Sequence, residues 1–199
     1  VEDNVAERVI AELEASADYA ARRREIAAFN AKSPVIKRGL ALTPVKFGIS
    51  FTATHFNQAG ALVHVYTDGS VHLNHGGTEM GQGLHTKVAQ VVAEELGVDI
   101  SRVKVCATDT SKVPNTSATA ESTGTDLNGK AAQEAARRVK RGLVQYAADR
   151  YGCDTSDVVF RSNHVQCGSK ATVPFTDFVQ AAYMARVPLW SSGFYRTPK

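Results

Sequence analysis

Gly76-Gly77-Thr78-Glu79-Met80-Gly81-Gln82-Gly83-Leu84-His85-Thr86-Lys87 is a glycine-rich run that leads straight into a helix. Leu84, Val88, Val91, Val92 and Leu96 fall on one face, and Gly97 is a suitable stop. Just before the run, Val71-His72-Leu73-Asn74-His75 has the composition of a strand. It is separated from Leu62-Val63-His64-Val65-Tyr66 by Thr67-Asp68-Gly69-Ser70. An Asp-Gly pair between two such runs predicts a hairpin. The core expected around this stretch is therefore hairpin, glycine turn, helix.

Working outward, residues 4–29 are expected as one helix. Val5, Val9, Leu13, Ala17 and Ala20 recur at helical spacing, and Asp3 or Asn4 is placed to cap it. Phe47 to Thr52 is rich in β-formers and predicts a strand, with Asn57-Gln58-Ala59-Gly60 as a turn. Downstream, Val103-Lys104-Val105 predicts a short strand, and residues 107–126 a polar loop. Asp126 is placed to cap a second helix carrying Leu127, Ala131, Ala135, Val139, Leu143 and Tyr146 on one face. A hairpin is expected from Val158 to Cys167 and a helix from Phe175 to Ala185. The apolar pair Leu189-Trp190 precedes Gly193-Phe194-Tyr195. This order predicts an α+β fold with a mixed sheet and packed helices. Its expected organisation is an N-terminal helix and connection over 1–45 and an α+β part over 46–199.

Composition excludes several classes. The 199 residues are 43% hydrophobic and 22% charged, with a net charge of +3, as in an ordinary globular protein. The basic clusters Arg22-Arg23-Arg24 and Arg137 to Arg141 lack interleaved aromatics, which argues against nucleic acid. No apolar run is long enough to span a membrane. The chain begins with Val1 rather than Met and carries no leader pattern, so it is expected to be cut from something longer. Cys106, Cys153 and Cys167 form no Cys-x-x-Cys pair, which points to free thiols in a reducing, cytoplasmic setting. His72 and His75 fall on opposite faces of an alternating strand, and no carboxylate completes a metal-ligand spacing with them or with His64 and His85.

Two segments have the chemistry of a site. The glycine run brings backbone N–H groups to a helix start, where an anion is favoured. It matches neither a nucleoside-triphosphate phosphate loop nor a dinucleotide fingerprint. Gln82, flanked by glycines, offers both a donor and an acceptor, which suits a ligand with mixed edges such as a pterin. The second segment is Thr116 to Asp126, small residues and hydroxyls ahead of another helix start. On these residues alone, the first segment is more often a tight turn with a capped helix, and the second a surface loop with an N-cap.

Taken together, the motifs resemble the xanthine dehydrogenase and aldehyde oxidase family of molybdenum hydroxylases. The glycine run is similar to a family signature. Lys46 to Thr52, Asn57 to Ser70 and Val113 to Ala120 follow in the family's order and spacing. The ending Gly193-Phe194-Tyr195-Arg196-Thr197-Pro198 is similar to the xanthine dehydrogenase branch.

The resemblance implies a fragment of the molybdopterin-binding portion, in an enzyme that oxidises hypoxanthine and xanthine to urate. Aldehyde oxidase, another N-heterocycle dehydrogenase or a non-catalytic folded fragment are the alternatives. By that resemblance Met80, Gly81, Gln82, Thr119, Ala120, Glu121, Ser122 and Gly124 contact the molybdenum–molybdopterin cofactor. Glu121 approaches the metal's ligands through its backbone only, and stands where relatives carry a small residue, usually Ala. Phe51 and Thr52 contact a flat heteroaromatic substrate. The general-base glutamate, FAD and two [2Fe–2S] clusters belong to segments outside this chain. The implied partners are the remaining parts or subunits of the enzyme, a purine substrate and a second copy of the complete enzyme.

Overall fold

The computed structural model describes residues 4–45, 48–106, 108–113, 115–120 and 122–198. The chain divides into two compact units, Val1–Phe47 and Gly48–Lys199.

In the first unit, α1 (Ala6–Ser16) and α2 (Tyr19–Lys32) replace the single predicted helix. The break falls at Asp18, whose φ of 50° is left-handed, a conformation that Asp tolerates better than most residues. The N-cap of α1 is Val5, which makes no side-chain cap, and Asn4 Oδ1 accepts the Ala6 N–H at 3.3 Å from one residue further out. Asn30 then pins the following segment, exchanging two hydrogen bonds with the Arg38 backbone. The Arg38 guanidinium lies 3.8 Å above the Phe29 ring. Neither helix buries a residue.

The second unit holds the core. Its main sheet has four strands in the order β3-β2-β1-β7. They are β1 (Gln58–Val65), β2 (Val71–His75), β3 (Val103–Val105) and β7 (Trp190–Arg196). β1 pairs antiparallel with β2 and β7, while β2 and β3 run parallel, so the sheet is mixed as expected. The Asp68-Gly69 hairpin forms: Tyr66 and Ser70 close it, and Asp68 Oδ1 accepts from Ser70.

Alternation along β1 sends Ala59, Ala61, Val63 and Val65 inward. They join α3 (Leu84–Leu96) and α4 (Gly124–Tyr151) in one cluster, with Val88, Val92 and Leu96 from the first and Ala131, Ala135, Val139 and Leu143 from the second. The alanine stripe of α4 admits strand β7 so closely that a Cβ on Gly193 would meet the Ala135 N at 2.5 Å. A smaller sheet, β4 (Val158–Arg161), β5 (His164–Cys167) and β6 (Ala171–Pro174), is followed by α5 (Phe175–Met184). Phe160 packs edge-on against Phe175 and Phe178 there.

Several expectations need correction. Residues 48–53 form no strand, because the N–H and C=O of Phe51 are both taken by the Asn57 side chain, at 2.9 and 2.8 Å. Phe47 lies outside the described residues. Gln58-Ala59-Gly60 is no turn but the start of β1, paired with β7. β7 itself and β6 escaped prediction. Helix α4 starts at Gly124 with Thr123 as N-cap, so Asp126 lies within its first turn.

Candidate functional site

The sheet's connectivity gathers the predicted segments at one end. β1 begins where β2 finishes, since Ala61 pairs with His75. β3 leaves parallel to β2, toward the same end. The Phe51 loop, the glycine run and the loop into α4 therefore meet there.

Hydrogen bonds chain the three together. Phe51, clamped by Asn57, packs its ring 5.4 Å from that of Phe56. The Phe56 carbonyl accepts from Ser117 Oγ at 2.6 Å, and Asn115 Nδ2 donates to Gln58 Oε1. Two residues on, Thr119 Oγ1 accepts the Thr78 N–H at 2.9 Å. Close backbone approach explains the first two glycines of the run. A Cβ at Gly76 would overlap the Thr116 side chain, and one at Gly77 would lie 2.6 Å from Leu84 and 2.7 Å from Asn128.

Within the run, two side chains organise the backbone. Gln82 Oε1 accepts the Met80 N–H at 2.6 Å and Nε2 donates to the Thr78 carbonyl at 2.9 Å. Among the described residues, one N–H and one lone pair of the amide are left over. Glu79 closes the turn. Its Oε1 accepts from Gly81 and Gly83, and its Oε2 from the His85 N–H. The His85 bond, then those of Gly83 and Gly81, hold its carboxyl below the usual range. The anion favoured at the start of α3 is thus supplied by the chain itself. Residue reading missed Glu79; the signal was a carboxylate among glycines just ahead of a helix.

Helix α4 differs. Its N-cap Thr123 makes no side-chain cap and donates instead to the Ala120 carbonyl. Its first N–H groups are orphans of the helix geometry. Ser122, just ahead, is left-handed at φ 59°. Glu121 lies outside the described residues.

Beneath the run sits a second missed group, His75. It is 2% exposed, and its Nδ1 accepts the Gly77 N–H at 3.1 Å. Its ring meets that of His85 edge-on at 5.2 Å. Burial, then the neighbouring His85, push its pKa down to about 4, so it is neutral near pH 7. Nδ1 as acceptor fixes the Nε2–H tautomer. That Nε2 is buried without a partner among the described residues, as are Asn74 Oδ1, Thr116 Oγ1 and Asn128 Oδ1.

Of the predicted residues, Met80, Gly81, Gln82, Ala120 and Ser122 are exposed on the loops, and Thr119 and Gly124 are half-buried. Phe51 is half-buried and Thr52 exposed in the neighbouring loop. The cavity between α4 and the Thr116–Thr119 loop is only about 10 Å³, room for roughly one water. One larger cavity, of about 890 Å³ between His64 and Trp190, is lined by none of the predicted residues. Another, of about 800 Å³, lies beside the site, lined by Thr54, His55, Asn57 and Gln58 together with Phe194 and Arg196 of β7. Among the described residues no cluster of His, Cys, Asp and Glu could hold a metal ion.

The family model described as a molybdopterin cofactor-binding domain matches residues 12–199. This chain belongs to that family. The molybdopterin cofactor-binding domain is also similar to xanthine dehydrogenase of Blastobotrys adeninivorans, 45% identical over 99% of this chain and 13% of that protein. It is 46% identical to nicotinate hydroxylase of Emericella nidulans, over 92% of this chain and 12% of that one. The chain thus spans about an eighth of the length of these relatives. Quinoline 2-oxidoreductase of Pseudomonas putida shares the fold, with a TM-score of 0.71 and 22% identity, over 98% of this chain and 27% of that chain.

The residues fit a molybdopterin in kind. The dithiolene carries the metal, so no protein ligand cluster is required. A helix start whose N-cap Thr123 makes no side-chain cap, exposed loop backbone and the polar edges of the Gln82 amide suit an anionic pterin with mixed edges.

Proposed function

We propose that this domain forms one wall of the cofactor site in a larger molybdenum hydroxylase that oxidises hypoxanthine and xanthine. The observation that carries the reading is the Thr78–Thr119 bond, which locks the Gln82 turn and the small-residue loop onto one end of the sheet. In it, Met80, Gly81 and Gln82 meet the pterin from one side. Thr119, Ala120, Ser122 and Gly124, with Glu121 by its backbone, meet it from the other. When bound, the molybdenum centre supplies oxygen transfer to carbon and takes up the electrons.

The domain's own residues bind and orient. The start of α4 favours negative charge through the N–H groups of its first turn. The turn held by Glu79 keeps Gln82 from moving away. Phe51, fixed through its backbone by Asn57, sets an aromatic ring where a flat substrate ring gains contact, with Thr52 beside it. The general base, FAD and the [2Fe–2S] clusters belong to the remainder of the protein, as does assembly into an oligomer. The 1–45 segment is assigned to connection and 46–199 to cofactor contact. A cytoplasmic setting accords with the three free thiols. Among the described residues no helix is long and apolar enough to cross a membrane.

The test uses the complete protein that carries this segment. Gln82→Ala is expected to lower bound molybdenum and xanthine-dependent reduction of NAD together. Full molybdenum content with full xanthine activity in that variant would remove Gln82 from the site. The similarity to a nicotinate hydroxylase favours a second reading, in which the substrate is another N-heterocycle. Wild-type protein that carries molybdenum but turns over nicotinate and not xanthine selects it.

A further inference from the structure

The outer face of the four-stranded sheet carries a cluster that the cofactor reading leaves unused. Parallel pairing sets His72 of β2 opposite Lys104 of β3. Cys106 lies two residues beyond Lys104 and so on the same face. Its N–H extends the ladder to the Leu73 carbonyl at 3.0 Å. In this arrangement His72 Nε2 touches Cys106 Sγ. The His72 ring is backed by His64 and Tyr66, at centroid distances of 6.2 and 6.4 Å.

We propose that Cys106 and His72 form a nucleophilic thiol–imidazole pair, making Cys106 a site of thiolation by small anionic disulfides.

The chemistry balances as an exchange. His72 Nε2 takes the thiol proton as Cys106 Sγ attacks one sulfur of the disulfide. The new S–S bond forms as the old one breaks. The leaving thiolate collects the proton from His72, giving a mixed disulfide and one free thiol. Burial, then the charges of His64, Lys104 and Lys112, hold His72 below its ordinary pKa, so the acceptor nitrogen is unprotonated near neutral pH. Lys104 on the same face places positive charge for a disulfide bearing carboxylates, while Lys112 from the neighbouring loop is held in an ion pair with Asp109.

The other two thiols are internal controls. Cys153 is half-buried like Cys106, while Cys167 is buried beside it, and burial, then Cys153, pushes the Cys167 thiol up. No described contact pairs either with an imidazole.

The whole 199-residue chain is treated with oxidised glutathione near neutral pH, and each cysteine is followed by peptide mass. Cys106 is expected to form the mixed disulfide at least about 10-fold faster than Cys153. His72→Asn is expected to bring Cys106 down to the Cys153 rate, with Cys153 and Cys167 unchanged. Cys106 reacting no faster than Cys153, or as fast without His72, overturns the proposal. If His72→Asn loosens the fold, Cys167 becomes reactive too, and the wild-type ratio of Cys106 to Cys153 then decides alone.

Discussion

The backbone N–H of Thr78 donates to Oγ1 of Thr119 at 2.9 Å, across 41 residues of sequence. On its other side, the Thr78 carbonyl accepts from Gln82 Nε2. One residue therefore joins the glycine run to the loop ahead of α4. Thr119→Val keeps the shape of the side chain and removes the acceptor. It is expected to cost about 1 kcal/mol, read by urea denaturation, and to speed amide exchange at Thr78. Thr119→Ser keeps the hydroxyl and should restore the slow exchange. Equal exchange at Thr78 in the valine and serine variants would show that the bond does not hold the two segments together.

Glu79 gives the second expectation. Its carboxylate accepts three backbone N–H groups, from Gly81, Gly83 and His85. Glu79→Gln keeps one acceptor oxygen but sets an amide nitrogen against at least one of those donors. Faster exchange is expected at the amides of Gly81, Gly83 and His85, with little change at Val92 in the buried part of α3. Those bonds also hold the carboxyl below its ordinary range, so the wild-type turn should loosen only in acid, as that carboxyl protonates. Unchanged exchange at all three amides in the glutamine variant would deny Glu79 this role.

His75 predicts acid lability. Its pKa is about 4 in the folded chain against 6.5 ordinarily, with burial the main cause and His85 the second. As pH falls through 6.5, the unfolded chain takes up the proton and the folded chain does not. Stability is thus complete above that value and lost on the way to pH 4. The loss approaches about 3 kcal/mol for a shift of this size. Protonation also removes the acceptor of the Gly77 N–H, so the base of the glycine run loosens with it. Stability measured by urea between those two pH values should fall in the wild type and less steeply in His75→Gln. Equal slopes for the two chains would refute the assignment.

Much of this was legible in the residues, for definite reasons. The Asp68-Gly69 hairpin and the Leu84–Leu96 helix are set by local turn chemistry and apolar spacing, so they read directly. β7 did not, because Trp190-Ser191-Ser192-Gly193 has little strand character and is extended through pairing with β1, far away in sequence. Phe47 to Thr52 misled for the opposite reason. Its β-forming composition is overridden at Phe51 by the side chain of Asn57. At the site, the motifs named the two loops but not Glu79 or His75. Their roles exist only once the turn has closed and β2 is buried.

Gly193 supplies the last prediction. Strand β7 crosses α4 at the point where Gly193 faces Ala131 and Ala135, and a Cβ there would overlap the Ala131 carbonyl and lie 2.5 Å from the Ala135 N. Both neighbours are backbone atoms of a long helix, which cannot rotate away as a side chain can. Gly193→Ala must therefore lift β7 off α4 or bend the strand, and either move disturbs its pairing with Ala61 of β1. Overpacking of this kind costs about 3 kcal/mol, at the upper end of its usual range. For a chain of this length that corresponds to a fall in Tm of roughly 6–12 °C. Ser192→Ala, one residue away on the exposed face of the same strand, is the control and should leave Tm nearly unchanged. A Gly193→Ala chain that melts with the Ser192→Ala control would mean that β7 does not approach α4 this closely.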